Sequence, residues 1–175
     1  KLERPETKRI AFSILYGSGI QALAYDLDSH YGEAKMFKEL YLAAFPGVQE
    51  LMKDVKLRGR QGLPVRTIGG RLIFAEQIQG RDLSYKLLNP LSQGSAADIT
   101  KQGTINHHKT KGKDVHMLAL VHDEVNISCP AEIQKQESAT LEAAMADIRI
   151  DVPLTSDLYL GDNWETAVKQ ILEAA

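Results

Sequence analysis

The run KLERPETKRIAFSILYGSG, residues 1–19, has a regular spacing of charged and aromatic residues from which the interpretation of the whole sequence starts. In it Arg4, Lys8, Phe12 and Tyr16 recur at every fourth position before a Gly-Ser-Gly break. A four-residue step on an α-helix turns through about 400°, so successive members drift by only about 40°. The spacing predicts one helix with two cations and two aromatic rings on the same face.

This stripe has two interpretations. The cations can extend into solvent beside two partly buried rings, as on an ordinary surface helix. Alternatively, the cations bind a polyanion at the helix start while a ring further along stacks on a flat base. A nucleoside triphosphate has that layout, because it is charged at one end and planar at the other. The spacing alone leaves both interpretations open.

Composition places few limits on function. The 175 residues are 43% hydrophobic and 25% charged, which is ordinary for one globular domain or two small subdomains. The net charge of −2 gives no reason to expect nucleic acid, although cations cluster in residues 1–9, 53–62 and 107–113. A single cysteine and the absence of a long apolar run favour a soluble protein in the cytoplasm, with no membrane partner.

Hydrophobic periodicity and turn residues predict an α+β fold, with a helical first half followed by a small antiparallel sheet with helices. Helices are predicted at residues 4–17, 20–27, 32–45, 46–61, 81–108, 131–148 and 163–175. Strands are predicted in residues 63–74, 115–130 and 152–161. The first of these strand regions contains Gly69-Gly70, which predicts a hairpin with a two-residue turn.

The stretch ALVHDEVNI places His122, Asp123 and Glu124 between two apolar halves, which predicts a hairpin tip. Adjacent carboxylates repel each other, so a bound cation or solvent best explains them there. Mg²⁺ prefers carboxylate oxygens and substrate phosphates, and Asp123 suits it. A solvated acidic turn is the other interpretation.

Three blocks together carry a family resemblance. The pattern R-x-x-x-K-x-x-x-F-x-x-x-Y-G resembles motif B of the family A, polymerase I-like, DNA polymerases. The His-Asp-Glu tripeptide with its apolar flanks resembles motif C of that family, and residues 89–101 resemble a helix that reaches the DNA. Further similar segments extend the resemblance over essentially the whole chain. It implies a fingers subdomain at residues 1–82 and the C-terminal part of a palm subdomain at residues 83–175.

The resemblance implies a nucleotide site on the first helix. Arg4 and Lys8 would hold the triphosphate, Phe12 would lie against the nucleotide, and Tyr16 with Gly17 would lie near the templating position. Lys8 is also hypothesised to protonate the leaving pyrophosphate.

The resemblance also implies metal and DNA contacts. Asp123 would bind the catalytic metal, with Glu124 beside it, and His122 would approach the primer end. Asn89 and Gln93 would reach the DNA, the glutamine from the minor-groove side.

One position departs from the family pattern. Tyr85 stands where many relatives carry an arginine, so one template contact is in question. Arg81 and Lys86 are the candidate substitutes.

Two-metal phosphoryl transfer needs carboxylates from two places, because the ions lie about 3.5 to 4 Å apart. The family's other aspartate belongs to motif A, a D-x-S-x-x-E pattern, and no such pattern occurs in these 175 residues. The chain is then either a proteolytic or engineered piece of a polymerase or the C-terminal subunit of a polymerase encoded in two parts. We favour the naturally split DNA polymerase, with a phage as its source, and expect it to act in DNA replication with Mg²⁺, primer-template DNA and deoxynucleoside triphosphates. A second polypeptide would supply the N-terminal palm and the thumb. In the largest form of that polypeptide we consider, it would also carry an exonuclease.

Two other classes of function fit the sequence less well. A catalytically silent DNA-binding accessory fragment would have no use for a metal-binding carboxylate, so Lys8 and Asp123 together argue against it. A phosphohydrolase of the His-Asp type needs further metal-binding histidines, and His107, His108 and His116 show no matching pattern.

Overall fold

The computed structural model describes residues 4–78 and 81–167, with side chains for residues 7–76 and 81–167. Four helices are followed by short antiparallel hairpins and further helices, which confirms the predicted α+β class. The chain forms two compact units divided at the peptide bond between Ser95 and Ala96, within one helix. The predicted subdomain boundary between residues 82 and 83 is a division by function, and it stays a prediction.

The four helices predicted for the first half are present, with ends shifted by at most two residues. They are α1 (Arg4–Leu15), α2 (Ile20–Asp26), α3 (Tyr31–Ala44) and α4 (Pro46–Arg60). Proline at the first position of α4 costs no hydrogen bond, because the first amides of a helix have no intrahelical acceptor.

Two apolar clusters hold the first unit together. In one, Ile10 and Ile14 of α1 pack with Leu23 of α2 and Ala34 of α3, all of them buried. The other joins α4 to the strands and helix that follow it, through Val55, Val65, Leu87 and Leu88. Burial of each large aliphatic side chain is worth about 1.5 to 3 kcal/mol, so these clusters fix the helices relative to one another.

The first hairpin has a different turn from the one predicted. Strands β1 (Val65–Arg66) and β2 (Leu72–Ile73) pair antiparallel as expected. However, the Thr67 amide donates to the Arg71 carbonyl at 2.9 Å and the Gly70 amide to the Thr67 carbonyl at 2.9 Å, enclosing three loop residues. Gly70 is left-handed, with φ of 87°, which is the glycine that a three-residue loop with a bulge requires. The two-residue turn was therefore wrong.

The helix predicted from residue 81 begins later. Strands β3 (Gln77–Ile78) and β4 (Arg81–Asp82) form a second small hairpin, and Ser84–Leu87 form a 3₁₀ turn. Helix α5 starts only at Leu88.

The Asp82 carboxylate explains this late start. It accepts the Ser84 amide at 3.0 Å, an Asx-type bond that competes with helix formation, and the Arg60 Nε at 2.7 Å. The Ser84 hydroxyl also donates to it. The Ser84 bonds and then the Arg60 guanidinium lower the pKa of Asp82 to about 2, so this carboxylate is ionised at neutral pH.

Gly17 ends the turn after α1 in a left-handed conformation, with φ of 79°. A Cβ at this position would lie 3.2 Å from Cδ2 and 3.3 Å from the carbonyl oxygen of Tyr85. Tyr85 therefore packs directly against the end of α1, a contact that only glycine leaves room for.

The second unit includes the rest of α5 (Leu88–Thr110), a hairpin and a helix that follows the hairpin. The hairpin strands are β5 (His116–Val121) and β6 (Glu124–Ser128), and the helix is α6 (Gln134–Ala146). The hairpin register is antiparallel, with an irregularity between Met117 and Ala119.

The strand predicted at residues 152–161 was wrong, since the structure has no strand there. A strand is defined by its ladder of hydrogen bonds, and no described segment pairs with these residues. Pro153 also lacks an amide donor. The predicted closing helix is present at residues 164–167, and its remainder lies outside the described residues.

A buried histidine and a buried glutamate face each other between α5 and α6. His107 is 0% exposed and Glu137 is 3% exposed. Their Nε2 and Oε2 atoms are 3.6 Å apart, and the other Glu137 oxygen accepts the Gly112 amide at 2.9 Å. Burial lowers the pKa of His107 below its ordinary value, although the Glu137 carboxylate opposes this. The imidazole is therefore held neutral near neutral pH.

We expect the free energy of unfolding to fall as the pH drops through about 6.5, the ordinary pKa of histidine. Folded His107 resists protonation, whereas the unfolded chain accepts the proton, so acid favours unfolding by up to about 1.4 kcal/mol per pH unit. Urea unfolding across this range should show a smaller slope for His107→Gln than for the natural chain. His108→Gln, at an exposed neighbour, should keep the natural slope. Equal slopes for all three proteins would contradict the prediction.

Candidate functional site

Lys8, Phe12 and Tyr16 form a stripe along α1 and the turn that follows it, in which Lys8 and Phe12 are exposed and Tyr16 is half-buried. The Lys8 ammonium lies 5.9 Å from the centroid of the Phe12 ring, and the Phe12 and Tyr16 rings stack with centroids 5.6 Å apart and planes at 26°. The opposite face of α1 buries Ile10 and Ile14. Helical periodicity therefore turns the stripe outward, and Phe12 is 41% exposed despite its apolar ring.

The structure describes the Gly17 end of the stripe in full, but only the backbone at the Arg4 end. Arg4 begins α1, and its side chain lies outside the described residues. Gly17 follows the helix and turns the chain away after Tyr16, as its left-handed backbone shows. The structure thus brings Lys8, Phe12, Tyr16 and Gly17 together along one edge of the first unit.

A cavity of about 360 Å³ opens beside Tyr16, entirely within the first unit. Its walls come from the end of α1, from α4, from the first hairpin and from the start of α5. They include Leu15, Tyr16, Arg66, Ile68, Ser92 and Ser95. The volume lies within the range of about 300 to 1,000 Å³ that small-molecule pockets occupy.

Asn89 and Gln93 lie on the first two turns of α5, on the same stretch that lines the cavity. They are four residues apart and so share a helix face. Gln93 is exposed. The Asn89 Oδ1 atom is buried and has no hydrogen-bond donor among the described residues. Unpartnered buried polar atoms are uncommon in native proteins, so Asn89 is the more unusual of the two.

The position that departs from the family pattern has a structural role. Tyr85 packs against Gly17, as described above, instead of extending freely into solvent. Arg81 on β4 and Lys86 in the 3₁₀ turn are both exposed. Their part in DNA contacts stays a prediction.

The His-Asp-Glu tripeptide forms the predicted hairpin tip. Val121 pairs with Glu124, which leaves His122 and Asp123 as a two-residue loop between β5 and β6. His122 is left-handed, with φ of 56°, a conformation that histidine, asparagine and aspartate adopt more readily than most residues. His122 and Asp123 are exposed, and Glu124 is half-buried.

The chemistry of this tip fits a divalent cation in part. Mg²⁺ is commonly held by one or two carboxylates together with substrate phosphates, and Asp123 supplies one such group. Within residues 4–78 and 81–167, no three His, Cys, Asp or Glu side chains come together as a metal site. The carboxylate oxygens of Asp123 suit Mg²⁺. The described residues offer too few such ligands at this place to complete the coordination of the ion, so other groups would have to supply the rest.

Sequence reasoning missed two contacts near the site. One is Tyr85 against Gly17, and the other is the Arg71 guanidinium bound to the Gly94 carbonyl of α5 at 2.7 Å. In the sequence, the only indication of these two contacts was that a glycine follows a predicted site residue, Tyr16 in one case and Gln93 in the other. In the described part of the chain, no helix combines the length and hydropathy needed to cross a bilayer.

Comparison with known proteins identifies relatives that share these elements. DNA polymerase I of Deinococcus radiodurans is 30% identical over 173 residues, covering 93% of this chain and 18% of the relative. DNA polymerase I of Bacillus subtilis is 30% identical over 177 residues, covering 94% and 20%. DNA polymerase theta of Drosophila melanogaster is 28% identical, covering 92% and 9%. The chain therefore spans about a fifth or less of the length of these relatives.

A solved structure agrees with the sequence relatives. The POL domain of Pol1 from M. smegmatis, in complex with DNA primer-template and dNTP, superposes with a TM-score of 0.84 at 29% identity. The match covers 94% of this chain and 31% of that chain, and it confirms the predicted fingers-and-palm type of fold. A family model described as DNA polymerase family A matches residues 1–166. The match extends from the cationic helix through the His-Asp-Glu hairpin, and the chain belongs to DNA polymerase family A.

Proposed function

We propose that this chain is the fingers and C-terminal palm portion of a template-directed DNA polymerase, which adds deoxynucleotides to a primer 3′ end. Family membership supports DNA synthesis in general, and the solved relative was bound to primer-template and dNTP. The observation that carries the proposal is the stripe of α1, where an ammonium group lies over one ring and a second ring stacks beside it.

The stripe suits an incoming deoxynucleoside triphosphate. Lys8 and Arg4 offer positive charge at the start of α1, where phosphates are also favoured by the helix dipole. Phe12 and Tyr16 offer flat apolar surface for the base and the nascent pair, and stacking on an aromatic ring is worth about 1 to 3 kcal/mol per base.

The bond changes follow from the substrates. The primer 3′-hydroxyl loses its proton to solvent as its oxygen forms a bond to the α-phosphorus, and the bond from that phosphorus to pyrophosphate breaks. Lys8 would neutralise the charge that develops on pyrophosphate and would donate a proton to it. Positioning and charge stabilisation are the main requirements of phosphoryl transfer.

Asp123 would hold the catalytic metal, with Glu124 as its neighbour at the base of the tip. Polymerases of this family generally use divalent metal ions, and Mg²⁺ is the ion that we propose here. When bound, such ions polarise the phosphoryl oxygens and stabilise both the attacking and the leaving oxygen.

The primer-template junction would be held by polar side chains on both units. Asn89 and Gln93 on α5 would contact the DNA, the amide of Gln93 from the minor groove. His122 at the hairpin tip would approach the primer end, and Arg81 would contact the template strand. Amides suit the minor groove, because its acceptors are nearly the same for every base pair.

The second metal-binding aspartate is proposed to come from outside these 175 residues, together with the thumb. In the split form of the proposal, a second polypeptide of phage or bacterial origin supplies them. The complex would act in the cytoplasm, at the nucleoid or in a phage-infected host.

The isolated 175-residue chain should not extend a primer. Mixed with a polypeptide that carries the D-x-S-x-x-E aspartate and thumb, it should extend one in the presence of Mg²⁺, because the metal site is then complete. Gel-based primer extension measures this. Extension by the chain alone would contradict the shared metal site. DNA binding by the mixture without extension would favour the silent accessory alternative.

Asp123→Asn in the complete polymerase should abolish extension yet leave DNA affinity unchanged within about twofold, since a neutral amide keeps the shape but is a poor ligand for Mg²⁺. Single-turnover extension and fluorescence anisotropy with labelled primer-template separate the two effects. Asp114→Asn, at an exposed aspartate before β5, is the matched control and should behave like the natural protein. Wild-type rates for Asp123→Asn would refute its metal role.

Lys8→Ala should lower the single-turnover rate by about 10² to 10³, because one preorganised charge contact is commonly worth about 3 to 4 kcal/mol in a transition state. Arg9→Ala, one position on and about 100° around α1, removes an exposed cation from a different face and should cost less than about threefold. Similar losses in both variants would show a general charge effect instead of a role for the stripe.

A further inference from the structure

The first hairpin binds α5 immediately after Gln93. The Arg71 guanidinium donates from Nη2 to the Gly94 carbonyl at 2.7 Å. The Ile68 amide donates to the Ser95 hydroxyl at 3.2 Å. Two successive residues of α5 are thus held by the hairpin, on the helical turn that carries an exposed glutamine.

Gly94 makes this close approach possible. A Cβ at this position would lie 3.0 Å from Cγ2 of Thr67 and 3.4 Å from Cδ1 of Ile73. A side chain here would therefore require the neighbouring side chains of the hairpin to move by a few tenths of an ångström. Glycine after Gln93 lets the hairpin and the helix keep their present close distance.

The bonds to α5 constrain its rotation as well as its position. The Ser95 hydroxyl also donates to the Leu91 carbonyl at 2.7 Å, so it is fixed from within the helix as well as from the hairpin. A carbonyl oxygen has two lone pairs, so the Gly94 carbonyl can accept a hydrogen bond from Arg71 in addition to the backbone hydrogen bond of the helix. Hydrogen bonds from a charged donor are the stronger ones, and Arg71 is the charged member of this set.

We infer that Arg71 is a positioning residue, which holds the first turns of α5 so that the Gln93 amide meets the minor groove of the primer-terminal base pair. The inference rests on the proposed function, because it assigns a partner to a side chain whose DNA contact is itself proposed. Arg71 acts through α5 and does not itself contact the reacting atoms. If this turn of α5 were not held by the hairpin, the Gln93 amide would sample several orientations. A hydrogen bond to one acceptor in the minor groove needs a single orientation of that amide.

The test compares two primer-templates in the complete polymerase. One has adenine in the terminal pair, and the other has 3-deazaadenine, which keeps the pairing edge but lacks the minor-groove N3 acceptor. The analogue is placed on the primer or on the template strand in separate substrates. The natural protein should lose about 3- to 10-fold in kcat/KM on the analogue at the contacted strand, the usual effect of one neutral hydrogen bond. Gln93→Ala should remove this sensitivity.

Arg71→Met should reduce the sensitivity to less than about twofold, and the double variant should show no further change, because coupled residues are not additive. Arg71→Lys keeps one charged donor and should restore part of the sensitivity. Arg58→Met is the matched control. Arg58 likewise donates to a backbone carbonyl, that of Pro64 at 3.2 Å, but on α4, and its variant should keep the natural ratio.

Each outcome decides between distinct explanations. If Arg71→Met slows both substrates equally and keeps the natural ratio, the residue serves stability alone and the inference is overturned. If the natural protein extends both substrates equally well, the minor-groove role of Gln93 is overturned, and with it the inference. If the natural protein extends neither, the proposed function itself fails.

Discussion

The burial of one face of α1 is the constraint on which the site depends. Ile10 and Ile14 are 5% and 0% exposed, packed against α2 and α3. A helix that buries these two positions must turn Lys8, Phe12 and Tyr16 to the other side. Exposure of the Phe12 ring is thus a consequence of packing, and the stacked rings cover part of each other's apolar surface.

Glycine determines how closely the other elements of the first unit approach. Tyr85 packs on Gly17 at the end of α1, and the first hairpin packs on Gly94 of α5. Both glycines are next to a residue with a proposed substrate contact, Tyr16 in one case and Gln93 in the other. The side chains proposed to contact substrate therefore lie on backbone that is held by close contacts, which limits the conformations they can adopt.

The sequence predicted the elements whose signals are local. The four helices of the first half and the β1–β2 and β5–β6 hairpins were found, because helical periodicity and turn residues act over a few positions. The late start of α5 was missed because the local bond from the Ser84 amide to Asp82 was not recognised, and because Asp82 is also bound by Arg60, 22 residues away. In the site, too, contacts between residues far apart in the sequence could not be predicted from local patterns. The stripe of α1 follows from spacing, but the bond from Arg71 to the Gly94 carbonyl spans 23 residues.

The failed strand prediction at residues 152–161 has a similar cause. Its alternating apolar pattern marks one face for burial, but a strand also needs a neighbour to accept its hydrogen bonds, and a local pattern cannot supply one. The His-Asp-Glu tip shows the opposite case. Its two strands pair with each other, so the ladder is complete up to Glu124 and Asp123 lies in a two-residue loop. Such a short loop leaves little conformational freedom, which would favour the proposed metal role of Asp123, because a site must hold its ligands close to the productive geometry.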